Sequence, residues 1–185
     1  LSKAAGNRKL ICFSTDQVYS GCNLFGPYKE EDAKPANTYA EHKLLMEQML
    51  LDANPDVVLL RAQWMYDMIS PKMNYFKILT QGDDHISFSK TQYRGMTYVK
   101  EVIENVPALL KAPGGVYNFG SETDKSMYEL TEWMLTKLHR DQVSLSESAH
   151  RHNLWMDCGK AKTAGIRFSS VEDALLRCAK DNNLL

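Results

Sequence analysis

Two short apolar runs bracket a helical pattern near the start of the chain, and that order restricts the fold more than any other feature. Lys9–Phe13 and Val57–Arg61 have the length and apolar content of strands buried on both faces. Between them, from Tyr39 to Leu51, Ala40, Leu44, Leu45 and Met49 are spaced to line one face of a helix, and Asn54-Pro55 stops it. Adjacent parallel strands need a long crossover, usually a helix, so strand–helix–strand reads as a parallel βαβ unit. The chain is therefore expected to be α/β.

The remainder carries shorter elements. A helix is expected over Pro71–Leu79, short strands at Ile86–Phe88 and Gly95–Val99, and a helix over Lys100–Lys111. Pro113-Gly114-Gly115 ends that helix and leads to a strand at Val116–Phe119. Ser126-Met127-Tyr128-Glu129 has the form of a capping box opening a helix to Leu138, and Ser169-Ser170-Val171-Glu172 repeats the device before a last helix to Lys180. No internal repeat or long linker divides the 185 residues, of which 44% are hydrophobic and 24% charged, as in a folded chain.

Charge and cysteines narrow the classes of function. Lys plus Arg is 22 against 23 for Asp plus Glu, so a net charge of −1 gives no reason to expect nucleic acid or an anionic membrane as partner. Apolar stretches such as Val57–Leu60 are far too short to span a bilayer. Cys12, Cys22, Cys158 and Cys178 form no Cys-x-x-Cys pair. Cys12 and Cys178 read as buried thiols, and the set fits a reducing cytoplasm. Histidines 42, 85, 139, 150 and 152 show no zinc spacing with these cysteines, so no metal site is expected, the His150–His152 pair included.

Ser14–Lys43 carries the chemistry. Tyr39 and Lys43, four apart on a helix, share a face. A free phenol titrates near pH ~10, and an adjacent ammonium favours its phenolate. A hydroxyl from Thr15 or Ser14, at the end of the neighbouring strand, can hold an oxygen opposite the phenol, so that the group serves to give or take a proton at a carbinol or carbonyl. A Tyr-x-x-x-Lys spacing is common; its specificity comes from the company it keeps.

That company is ordered. Ser14-Thr15-Asp16-Gln17-Val18-Tyr19-Ser20-Gly21 is followed by Pro27-Tyr28-Lys29-Glu30-Glu31-Asp32 and then by Tyr39-Ala40-Glu41-His42-Lys43. Later come Leu60-Arg61-Ala62-Gln63-Trp64-Met65-Tyr66, Asn74-Tyr75-Phe76, Gln92-Tyr93-Arg94-Gly95-Met96-Thr97-Tyr98-Val99 and Gly115-Val116-Tyr117-Asn118-Phe119-Gly120. The series resembles the extended short-chain dehydrogenase/reductases, and within them the dTDP-4-dehydrorhamnose reductase group. The resemblance implies the C-terminal part of a Rossmann-like parallel sheet plus a small mixed α/β substrate-binding region. Residues 1–66 would be the C-terminal half of the dinucleotide-binding sheet, and residues 67–185 mostly substrate-binding, with elements returning to the sheet. It implies a nicotinamide cofactor, NADP or NAD, and a nucleotide-sugar substrate undergoing reduction or epimerisation. Thr15, Tyr39 and Lys43 would be catalytic. Tyr39 would be the acid–base group, Lys43 its electrostatic partner and a ribose ligand, and Thr15 the group that polarises the carbonyl. Ser14 would line the cofactor, and Asp16, Trp64 and Arg94 the substrate. Read without the resemblance, Trp64 is equally a core or edge aromatic, Asp16 a residue bonding loop amides, and Arg94 a solvated surface arginine.

Some positions depart from the group. His42 stands where a small hydroxyl residue is common, and Asp67 where a glycine usually follows Trp-x-Tyr. None of the ten glycines supplies the Gly-rich strand-to-helix turn that lets a backbone approach a pyrophosphate. The chain, opening on Leu1 rather than Met, therefore reads as the C-terminal part of such an enzyme. By itself it is expected to be inactive and to associate with the missing N-terminal half or with a second copy. Two other readings remain: a non-catalytic regulatory subunit similar to the β subunit of methionine adenosyltransferase, which lies in the same superfamily, and an inactive truncated fragment.

Overall fold

The computed structural model describes residues 5, 6, 8–22, 25–149 and 153–185. In chain order the elements are β1 (Ile11–Thr15), α1 (Thr38–Ala53), β2 (Val58–Ala62), β3 (Trp64–Tyr66), α2 (Tyr75–Gln81), β4 (His85–Phe88), β5 (Met96–Tyr98), α3 (Val99–Glu104), α4 (Val106–Lys111), β6 (Gly115–Phe119), α5 (Met127–Lys137), β7 (Ser144–Glu147), α6 (Gly159–Thr163) and α7 (Val171–Asp181). Single 3-10 turns occupy Asp16–Tyr19 and Glu30–Asp32.

The βαβ crossover is present. β1 pairs in parallel with β2, from Ile11 opposite Val58 to Thr15 opposite Ala62, and β2 pairs in parallel with β6. The sheet order is β1-β2-β6, with two further parallel pairs, β3-β5 and β4-β7. β1 starts two residues later than expected and takes Ser14 and Thr15 into the ladder, because Arg61 and Ala62 are there to pair with them. Side chains alternate along β2, so Val58 and Leu60 face the cluster built with Leu109, Tyr117 and Phe119, while Leu59 and Arg61 face the other way. A larger cluster, centred on Tyr66, Phe76, Met96, Leu130, Met134 and Leu175, holds the elements after β3 together.

The face of α1 is the main departure from the expected pattern. Ala40 is buried, but Leu45 and Met49 are 58% and 63% exposed, and the other residue the helix buries is Glu47. The cause lies on β2. Arg61 is 3% exposed, and its Nε and Nη2 grip the Glu47 carboxylate at 2.7–3.2 Å. Its Nη1 donates to Tyr19 Oη at 2.8 Å and to the Glu30 carbonyl at 2.6 Å. Tyr19 Oη in turn donates to Asn118 Oδ1 on β6 at 2.6 Å. This buried network ties α1, both 3-10 turns, β2 and β6 together. Apolar periodicity cannot reveal it, since both anchors are charged. Cys12 also differs from expectation: it is only half-buried, because β1 has no strand on its outer edge among the described residues.

Smaller differences have local causes. The helix expected over Lys100–Lys111 breaks at Asn105, since Pro107 has no N–H to offer the Ile103 carbonyl. The Asn105 amide bridges the break by donating to the Glu101 and Arg167 carbonyls. The Ser126–Glu129 capping box forms as expected. The last helix is instead capped by Ser170, which accepts the Asp173 N–H, while Ser169 bonds Glu101 and Glu172 pairs with Lys125. β7 and α6 had no clear signal: β7 is a half-exposed polar segment, and α6 is barely one turn.

No helix is long and apolar enough to cross a membrane, and no His/Cys/Asp/Glu cluster suited to a metal ion occurs among the described residues. His150 and His152 lie outside them.

Candidate active site

β1 ends on Ser14 and Thr15, both buried. Thr15 caps the turn that follows, accepting the Gln17 N–H at 3.2 Å and donating to Asp16 Oδ1 at 3.4 Å. One strand across, β2 ends on Ala62 and runs through Gln63 into Trp64. The carboxyl ends of adjacent parallel strands are where open α/β sheets take ligands. Here they border a cavity of about 670 Å3. The third wall is the first turns of α1, started by Asn37, whose side chain accepts the Ala40 N–H at 2.9 Å. This start turns Tyr39 and Lys43 onto the cavity.

All seven residues expected from the sequence (Ser14, Thr15, Asp16, Tyr39, Lys43, Trp64 and Arg94) line this one cavity. Tyr39 is 56% exposed at its mouth. Lys43 Nζ donates to the Phe13 carbonyl at 2.7 Å, which fixes the ammonium over the end of β1. Arg94 is not a solvated surface arginine. Its Nη2 meets Asp16 Oδ2 at 2.7 Å, and its guanidinium lies 5.5 Å from the centre of the Trp64 ring. Trp64 also packs edge-on against Tyr75. Burial pushes the Asp16 carboxyl above its ordinary range, with Arg94 pulling it back. The carboxylate is thus spent on holding Arg94 in the wall.

Neither departure noted in the sequence lines the cavity. His42 is exposed on α1. Asp67 Oδ1 accepts the Ser70 N–H at 2.7 Å and the Asp67 carbonyl accepts from Asn74 Nδ2 at 2.9 Å, so an aspartate-stabilised turn stands where a glycine is usual.

Sequence reasoning did not single out Gln63. It is 5% exposed and lines the same cavity. Its signal was available: a polar residue in an apolar segment, one step past the carboxyl end of a central parallel strand. Among the described residues, six buried side-chain polar atoms lack a hydrogen-bond partner. Three of them, Ser14 Oγ, Gln63 Nε2 and Arg94 Nε, belong to residues of this wall. Orphaned buried donors are costly in a native protein. Three of the six thus belong to residues that line this one cavity.

The chain matches the RmlD substrate binding domain family over residues 2–176. It is 27% identical over 192 residues to methionine adenosyltransferase 2 subunit beta of Danio rerio, covering 92% of this chain and 59% of that protein. It is 33% identical over 121 residues to dTDP-4-dehydrorhamnose reductase of Mycolicibacterium smegmatis, covering 61% of this chain and 35% of that protein. Among solved structures, dTDP-4-dehydrorhamnose reductase from Bacillus anthracis in complex with NADP superposes with a TM-score of 0.78 at 19% identity, over 94% of this chain and 66% of that one. The chain therefore spans about a third to two thirds of the length of these relatives. The Rossmann-like α/β architecture and the kinship with extended short-chain dehydrogenase/reductases stand as expected. The chain belongs to the RmlD substrate binding domain family.

Proposed function

We propose that this chain carries the acid–base end of an NAD(P)-dependent active site that reduces a nucleotide-linked 4-keto sugar, as in the dTDP-4-dehydrorhamnose reductases it resembles. The observation that carries this reading is the gathering of Thr15, Tyr39 and Lys43, from two separate elements, on one cavity. The hydroxyl and ammonium groups gathered there fit the polar end of a nicotinamide nucleotide. Ser14, Tyr39 and Lys43 would hold the nicotinamide ribose and amide, and the cofactor, when bound, supplies the hydride. Tyr39 Oη gives the proton to the sugar oxygen. Lys43 Nζ, already fixed over the end of β1, stabilises the phenolate left behind. Thr15 Oγ1, held by the Gln17 N–H, turns its proton from Asp16 Oδ1 to the reacting carbonyl. Trp64 offers a flat wall for the sugar ring, and Arg94, braced by Asp16, faces the anionic part of the substrate. An epimerase would use the same proton relay. Residues 1–66 then serve as cofactor-side sheet and residues 67–185 mostly as substrate region, with β6 returning to the sheet.

The phosphate-binding turn has no counterpart in these 185 residues. The outer edge of the sheet displays Phe13 of β1 on one side and Leu45 and Met49 of α1 on the other, at 46%, 58% and 63% exposure. That edge suits cover by further sequence carrying the phosphate turn. The similarity to the methionine adenosyltransferase β subunit over 92% of the chain favours a second reading, in which the cavity is retained in a regulatory subunit without turnover. The test is NADPH oxidation by the full-length gene product with dTDP-4-dehydrorhamnose. Consumption that depends on the sugar is expected; none, at enzyme concentrations that give binding, would favour the regulatory reading.

A further inference from the structure

The side chain of Gln17 lines the cavity of the proposed proton relay and has no part in it. Gln17 belongs to the 3-10 turn Asp16–Tyr19, whose other three residues are buried. Val18 and Tyr19 anchor that turn in a cluster with Tyr28, Leu154 and Met156. Gln17 itself is pinned by its main chain: its N–H donates to Thr15 Oγ1 at 3.2 Å, and its carbonyl accepts the Ser20 N–H at 3.0 Å. Neither bond uses the carboxamide. The residue is half-buried, both amide atoms keep accessible surface, and neither has a hydrogen-bond partner among the described residues. The charged groups on the same wall are already engaged, Asp16 with Arg94 and Lys43 with the Phe13 carbonyl. A rigid turn thus carries an uncommitted amide at the cavity.

We propose that Gln17 is a ligand-contacting residue that determines specificity, its carboxamide bonding vicinal hydroxyls of the hexose beside the reacting carbonyl. The Gln17 nitrogen lies 3.2 Å from Thr15 Oγ1, the group assigned to that carbonyl. Two methylenes carry the amide away from this backbone, a reach comparable to the width of a hexose ring. An amide offers an acceptor oxygen beside N–H donors, and two neighbouring hydroxyls answer with one donor and one acceptor. A phosphate, which only accepts, would leave Oε1 unpaired, and a ring without hydroxyls there would strip water from both amide atoms and replace it with nothing. The inference rests on the function proposed above and deepens it.

The parent and Gln17→Met, which keeps the length of the side chain and removes its polar atoms, are compared as full-length protein by titration calorimetry. The ligands are dTDP-4-dehydrorhamnose and, separately, dTDP, which lacks the hexose; NADP is present in its oxidised form, which has no hydride to give. Q17M is expected to bind the sugar nucleotide about tenfold more weakly than the parent and dTDP equally well. Its Tm should match the parent's, since the amide holds nothing in the fold. Gln17→Asn, which keeps the amide and shortens its reach, is expected to fall between the two. An equal loss for dTDP would move the contact to the nucleotide, and unchanged affinity for the sugar nucleotide would remove it. Either result overturns the role of Gln17 while leaving the proposed function intact. A parent that does not bind the sugar nucleotide would overturn both.

Discussion

Tyr39→Phe is expected to lower sugar-dependent NADPH oxidation by the full-length protein about 10²–10⁴-fold, the usual contribution of a positioned proton donor. Loss of the hydroxyl leaves the ring, and Tyr39 is 56% exposed, so Tm should move little. The pairing of a large loss in turnover with unchanged stability separates proton transfer from packing. Steady-state kinetics beside a thermal melt give both numbers. Equal turnover in parent and variant would mean that the proton comes from another group.

Glu47→Ala should have the largest effect on stability. The Arg61–Glu47 pair is sealed between α1 and β2, with side chains 4% and 3% exposed, and Arg61 also serves Tyr19 and Glu30. Removing one partner leaves a buried charge uncompensated, which costs about 3–5 kcal/mol. Replacing both, as Glu47→Leu with Arg61→Met, should cost much less, because a buried ion pair is worth little over an apolar pair of similar volume. Urea unfolding of the three proteins measures this. A single-variant loss below about 1 kcal/mol would place the pair among weakly coupled surface contacts. The same anchor holds α1 against the strand that ends beside Thr15, so a destabilised Glu47→Ala protein should also bind ligands poorly.

The strand–helix–strand order was legible because it depends on short-range periodicity, and the capping box at Ser126–Glu129 because it depends on side chains three residues apart. The buried face of α1 was not, since it depends on Arg61, a residue 14 positions from its partner and charged like a surface residue. The break at Asn105 was missed although Pro107 announced it, because the spacing of Val102, Val106, Leu109 and Leu110 continues across the break. The site residues were legible as an ordered set of motifs, and the fold brings all seven to one cavity. Gln63 escaped because the contacts that hold its amide are long-range. Gly95, Gly120 and Thr97 are 32, 57 and 34 residues away, and only the folded chain brings them to its amide. Arg94 and Asp16, 78 residues apart, illustrate the same limit: each alone reads as solvated or loop-bonding, and the ion pair exists only in three dimensions.

The most direct test of the proposed chemistry follows the hydride itself. The full-length protein is incubated with dTDP-4-dehydrorhamnose and NADPH carrying deuterium at the transferable position of the nicotinamide, and the sugar product is examined by mass spectrometry and NMR. One deuterium bound to the former carbonyl carbon is the expected result. Binding of both ligands with no deuterium in the sugar would contradict a reductase and leave the cavity to a protein that holds these molecules without converting them.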